Sequence, residues 1–166
     1  MEKKIAILGG DLRIALLAEL LANENWQVQT YGLEQYEAKE PMEKVAELAE
    51  FCQRTNLIFS AMPFSKDGRK VGAPFAEKEI LIEDVFANMK MGTFIAGGIK
   101  PEWKEKYTSK IQFVDLLEDE TLTIQNAVTT AEGAIQKIME KTTTTLYGSK
   151  ILILGFGRIG KLLANR

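Results

Sequence analysis

The chain has 166 residues, of which 46% are hydrophobic and 27% charged, with a net charge of -2. That is enough for one well-buried core and part of a second, and the mixed charges leave no basic stripe for nucleic acid or an anionic membrane surface. A single cysteine and no histidine exclude a disulfide framework, the usual zinc ligand sets and any Ser–His or Cys–His nucleophile pair.

Lysines followed by only a few apolar residues make the N-terminus too short for a signal peptide. No apolar run reaches the ~18 residues of a membrane span, so the expected location is the cytoplasm. Lys4–Leu8 is a continuous apolar run, as in a strand buried on both faces. It ends in Gly9-Gly10-Asp11, and leucine and alanine then recur at helical spacing over Leu12–Leu21. Gln27–Tyr31 reads as a second strand, so the chain opens with a βαβ unit. Pro41–Phe51 reads as a helix with Pro41 in its first turn. Cys52, beside Leu48, Ala49 and Phe51, is expected to be a buried, inert thiol.

Leu57–Ser60 is the next strand, stopped by Pro63, and Ser65–Gly72 is a polar loop at its carboxyl end. Residues 79–82 lead through a short strand or turn into a helix around Val85–Met89. Thr93–Ala96 forms a strand closed by Gly97-Gly98. Pro101–Tyr107 is a helix and Ile111–Asp115 the last strand of the unit. A long helical stretch starts at Thr121, with Thr130 as a cap and an end at the β-branched run Thr142–Thr145. Lys150–Leu154 then reads as a new buried strand, followed by another helix.

Strand and helix alternate through about five strands, then a linking helix, then a fresh βα turn. The expected class is α/β, with a doubly wound, mostly parallel sheet of Rossmann or flavodoxin-like type followed by a truncated second Rossmann domain. The expected divisions are an α/β domain over residues 1–125, a linking helix and turn over 126–147, and an opening βα unit over 148–166.

Gly155-x-Gly157-x-x-Gly160 stands between an apolar run and a helix, the context in which this spacing signals a dinucleotide. Gly155 permits the tight turn, Gly157 admits a pyrophosphate to the backbone, and Gly160 lets helix and strand pack closely. Phe156, Arg158 and Ile159 complete this cofactor-binding segment, and Arg158 can serve the cofactor phosphates or the substrate. The acidic residue that chooses NAD or NADP, ~20 positions further on, falls after Arg166. The cofactor is therefore NADP or NAD, and no metal site is expected.

Gly9-Gly10-Asp11-x-Arg13 occupies the equivalent turn of the first domain. It is either a capped turn or a substrate site in which Arg13 holds a carboxylate bidentately. Ligands of open α/β sheets bind beyond the carboxyl ends of the strands. By that rule Gly10, Asp11, Arg13, Ser60, Gly97 and Gly98, with Asn126 near the hinge, are the candidate substrate residues. Lys66, Arg69 and Lys70 form a basic loop beside that edge or simply a solvated face. Trp26 and Trp103 read as packing residues.

Three segments carry a family resemblance: ILGGDLR at the start, NAVTTAEGAIQ in the long helix and LYGSKILILGFGRIGKLLA at the end. Together they resemble the A subunit of dipicolinate synthase across the whole chain. The resemblance implies a sporulation enzyme of the mother cell that oxidises dihydrodipicolinate to pyridine-2,6-dicarboxylate. It further implies NADP as acceptor, the flavoprotein-like B subunit of the synthase as partner, and possible homo-oligomers. It assigns no catalytic residue in this segment. The same layout serves D-2-hydroxyacid and alanine dehydrogenases, most of which place a histidine in the cleft. A non-catalytic domain that docks a partner or senses a ligand is the third reading.

Overall fold

The computed structural model describes residues 3–166. The chain divides into two compact units, residues 1–116 and 117–166. The first holds six strands: β1 (Lys4–Leu8), β2 (Gln27–Tyr31), β3 (Glu43–Lys44), β4 (Leu57–Ser60), β5 (Gly92–Ala96) and β6 (Ile111–Asp115). They form one sheet in the order β3-β2-β1-β4-β5-β6, and every pairing is parallel. This is the strand order of the dinucleotide-binding Rossmann sheet, and the order reverses between β1 and β4.

Alternation along β1 divides the core into two. Ile5 and Ile7 pack with Ile14, Ala15 and Ala18 of helix α1 (Leu12–Asn23). Ala6 and Leu8 face the larger cluster, with Phe51 and Cys52 of α2 (Leu48–Arg54) and Val85 and Phe86 of α3 (Ile82–Asn88). Trp103 and Tyr107 of α4 (Pro101–Tyr107) pack against the same cluster. Helices thus cover both faces of the sheet. Trp103 also donates from Nε1 to the Gly68 carbonyl at 3.2 Å, so it packs and pins the loop before α3.

One expected helix begins late. Residues from Pro41 do not start it, because Glu43–Lys44 instead pairs with the free edge of β2 and the Val45 amide donates to the Thr30 carbonyl at 2.9 Å. Edge pairing satisfies backbone groups that a short helix would leave open at its end, and the helix waits until Leu48. This short edge strand is the sixth member of a sheet expected to have about five. Residues 79–82 lead into α3 as expected, through an isolated bridge between Lys70 and Leu81.

The second unit contains α5 (Glu120–Lys141) and α6 (Arg158–Ala164). Asp119, not Thr130, caps α5, accepting from the Leu122 amide at 3.0 Å. Thr130 lies inside the helix, where its hydroxyl donates back to the Asn126 carbonyl at 2.7 Å, as threonine does within helices. The helix ends at Lys141, at the threonine run. A division after residue 125 falls inside α5. Lys150–Leu154 does not form the expected strand: a strand needs a neighbour for its amides and carbonyls, and none of the described residues supplies one. Leu152 and Leu154 are among the most exposed apolar side chains of the described residues.

Candidate functional site

The reversal point of the first sheet is framed by the segments that leave β1 and β4. Gly9 and Gly10 turn the chain with φ of +56° and +98°, values that favour glycine. Asp11 then caps α1, its Oδ1 accepting from the Arg13 amide at 3.0 Å. The Arg13 side chain folds back on the same carboxylate, with Nε at 3.1 Å from both oxygens and Nη2 at 2.8 Å from Oδ2. Nη2 also donates to the Met62 carbonyl at 2.7 Å. The guanidinium therefore bridges the two sides of the reversal point. Its hydrogen bonds hold the Asp11 carboxyl below the usual carboxylate range, and the carboxylate in turn raises the arginine pKa.

This turn is closed to a dinucleotide. The Gly10 amide donates to the Gly72 carbonyl at 2.7 Å and the Gly9 amide to the Tyr31 carbonyl at 2.8 Å. The seat for an anion at the start of α1 is taken by Asp11 itself. A side chain added at Gly9 would meet Ala73 Cβ at 2.8 Å, so the Gly72–Ala73 segment lies directly on the turn. What remains exposed for chemistry is the outer part of the Arg13 guanidinium: among the described residues nothing accepts from Nη1.

The other sequence-predicted residues differ in what they present. Ser60 is fully buried, and its hydroxyl donates to the Leu8 carbonyl at 2.8 Å, tying β1 to β4 at the reversal point. It holds the frame rather than facing the rim. The Gly97 carbonyl accepts from the Phe64 amide at 2.6 Å, and Gly98 turns with φ +78°. The Gly98 and Ile99 amides are engaged by Asp115, at 2.8 and 2.7 Å, and Lys104 lies 3.4 Å from the same carboxylate. Asp115, almost wholly buried at 4% exposure, was missed from sequence. Its place as the last residue of a parallel strand was the available signal.

A cleft of about 390 Å³ opens beside Asp11, lined by Ala61, Met62, Pro63, Lys66, Gly72, Ala73 and Pro74. Two larger hollows, about 650 and 760 Å³, lie among Lys4, Gln27 and Thr55 and among Asn56, Gly92 and Ile111. Both are at the amino ends of the strands, away from the edge where open α/β sheets take ligands. The smaller cleft is the better placed.

In the second unit the glycine turn has the shape its spacing predicts. Gly155 has φ +96°, Gly160 is buried where an added side chain would collide with the Gly155 carbonyl, and nothing lies within 4 Å of where a Gly157 side chain would stand. The turn is therefore tight where helix and preceding chain meet and open where a pyrophosphate would approach. Asn126 of α5 lines a hollow of about 540 Å³ with Thr123, Gly155, Gly157, Arg158, Ile159 and Gly160. Asn126 thus sits with the cofactor candidates of its own unit. Arg158 is ion-paired with Glu120, and Glu132 with Arg166 at 2.8 Å. Phe156 is 68% exposed. No group of three or more Asp, Glu or Cys among the described residues is arranged to hold a metal, and none of their helices is long and apolar enough to cross a membrane.

The sheet order defines a Rossmann-type α/β unit, followed in the chain by a glycine turn of dinucleotide-type spacing. The chain belongs to the family of dipicolinate synthase A subunits, whose N-terminal-domain model matches residues 4–117. It is 26% identical over 167 aligned residues to the dipicolinate synthase A subunit of Bacillus subtilis, covering 98% of this chain and 56% of that protein. The crystal structure of the Bacillus subtilis protein superimposes with a TM-score of 0.74 at 23% identity, over 99% of this chain and 56% of that one. The A subunit from Bacillus halodurans gives 0.74 at 20% identity, over 99% of this chain and 57% of that one. The two superpositions show a shared fold, and the chain spans little more than half the length of these relatives.

Proposed function

We propose that this chain is the N-terminal part of an NADP-dependent oxidoreductase that converts dihydrodipicolinate to dipicolinate in the cytoplasm of a sporulating mother cell. The assembly would include the flavoprotein-like B subunit of the synthase. The observation that carries the reading is Arg13, held at the reversal point by Asp11 and the Met62 carbonyl, with Nη1 open among the described residues. A dicarboxylate substrate calls for a cation oriented in advance, and a guanidinium whose Nε and Nη2 are already engaged presents Nη1 without reorganisation.

Gly155, Gly157 and Gly160 are the residues that would hold the dinucleotide, with Arg158 near its phosphates, and when bound its nicotinamide supplies the hydride acceptor. Arg13 binds and orients the substrate carboxylate. Asp11 aims the guanidinium, and Gly10 and Gly72 keep the turn shut to phosphate. Aromatisation by hydride loss depends on positioning more than on a strong base, which suits a chain without histidine.

The test uses full-length protein with its neighbouring subunit, pyruvate, aspartate semialdehyde, the condensing synthase and NADP, followed by dipicolinate absorbance. Product should depend on this protein, and Arg13→Ala should lower kcat/KM by about 100-fold, the scale of a lost charge-assisted hydrogen-bond pair. Turnover unchanged in Arg13→Ala would return Gly9–Arg13 to the status of a capped turn. Absence of product with NADP or NAD would favour a hydroxyacid-dehydrogenase-like reaction.

A further inference from the structure

The cleft beside Asp11 has a volume, about 390 Å³, inside the range of ~300–1,000 Å³ typical of small-molecule sites. Its lining is mostly apolar, Ala61, Met62 and Pro63 after β4 with Gly72, Ala73 and Pro74, and its charged members are Asp11 and Lys66. Backbone bonds fix both segments, with the Gly72 amide on the Phe64 carbonyl at 2.8 Å and the Gly10 amide on the Gly72 carbonyl at 2.7 Å. Such a lining suits the flat faces of a ring.

The charges around this cleft are unequal. Asp11 is paired with Arg13 at 2.8 Å. Lys70 is engaged by Glu79 at 2.5 Å, and Lys100 by Glu102 at 3.5 Å. Lys66 lines the cleft, and among the described residues no carboxylate pairs with it. Its neighbours Ser65 and Asp67 fix the turn that carries it. Asp67 Oδ1 accepts from the Arg69 and Lys70 amides at 2.8 and 2.9 Å and from the Ser65 hydroxyl at 3.1 Å. The Gly68 amide donates to Ser65 Oγ at 2.8 Å. These bonds hold the Asp67 carboxyl down to about 2, so that carboxylate stays bound to its own turn at working pH. A lone ammonium on a rigid turn at the mouth of an apolar slot is a second anion receptor, separate from the guanidinium on α1.

Resting on the reading above, we propose that Lys66 receives the second carboxylate of the substrate and makes the cleft selective for planar dicarboxylates over monocarboxylates. Arg13 takes the first carboxylate, the ring lies between Ala61–Pro63 and Ala73–Pro74, and Lys66 closes the far end. Lys66 is a substrate-binding residue and contributes no chemical step.

Full-length wild type, Lys66→Ala and Lys66→Arg would be titrated calorimetrically with pyridine-2,6-dicarboxylate and with pyridine-2-carboxylate. Lys66→Ala should weaken the dicarboxylate at least tenfold and shift the monocarboxylate less than twofold, while Lys66→Arg restores most of the loss. Unchanged dicarboxylate affinity in Lys66→Ala, or an equal loss for both compounds, overturns the assignment. If the wild type turns over but retains too little product for calorimetry, the KM carries the comparison, and an unchanged KM in Lys66→Ala overturns it equally. If the coupled assay yields dipicolinate while Lys66→Ala is silent, the assignment of Lys66 falls alone. If wild type neither forms nor binds dipicolinate, both readings fall together.

Discussion

Cys52 lies against the aromatic side of the core at 2% exposure, and burial pushes its thiol up to about 12, with Lys110 opposing weakly. In the unfolded chain the same thiol titrates near 9.0. Because the folded value is the higher one, the neutral thiol's contribution to stability is complete below pH 9 and is lost as the pH rises toward 12. A disulfide reagent at pH 8 should therefore label the native protein at least ~100-fold more slowly than the denatured one, thiolate being the reactive form. Fast labelling of native protein would mean that α2 opens readily. This inert thiol was legible from its neighbours Leu48 and Phe51. The roles of Ser60 and Asp115 were not, because each is defined by backbone groups on another strand or turn: Leu8 for Ser60, Gly98 and Ile99 for Asp115. For Arg13 the sequence left a capped turn and a carboxylate site both open. The structure contains the capped turn and also leaves Nη1 of the guanidinium open among the described residues.

Helix α5 carries a glycine in its interior, Gly133, with nothing within 4 Å of where a side chain would stand. Glycine there costs helix stability without serving a close approach among the described residues. Gly133→Ala should raise stability by about 0.5–1 kcal/mol, read as an upward shift of the thermal unfolding midpoint by circular dichroism. A lower midpoint would show that the bare backbone at Gly133 is needed by a surface packed against it. At this scale the strands of the first unit were legible because continuous apolar runs bounded by glycine or proline mark parallel strands. The two mistaken elements share one cause, since strand formation depends on a partner. Glu43–Lys44 found one along β2 although the sequence there suits a helix start. Ile151–Leu154 found none among the described residues although its sequence suits a strand.

The division into two units bears on what the 166-residue chain can do by itself. Its second unit holds a well-formed glycine turn but no sheet beneath it, and a turn without its strand lacks the rigid backing that aims amides at a pyrophosphate. Calorimetry of this chain with NADP should give no measurable binding below ~1 mM, since most affinity comes from preorganised contacts; micromolar binding would show that α5 and α6 suffice. Alternating strands and helices announced the fold class, but the strand order was not legible, because it follows from pairings between segments far apart in the chain. The order also fixes how the unit tolerates loss. β1, the strand nearest the N-terminus, pairs with β2 on one side and β4 on the other, and it alone joins the two halves of the sheet. Removing β6 would trim an edge. Removing the five residues of β1 would cut the sheet in two, leaving β3-β2 and β4-β5-β6 without a shared hydrogen bond. During synthesis the same strand emerges first yet must hold one side vacant until residue 57 and its neighbours arrive. The beginning of the unit is thus its keystone.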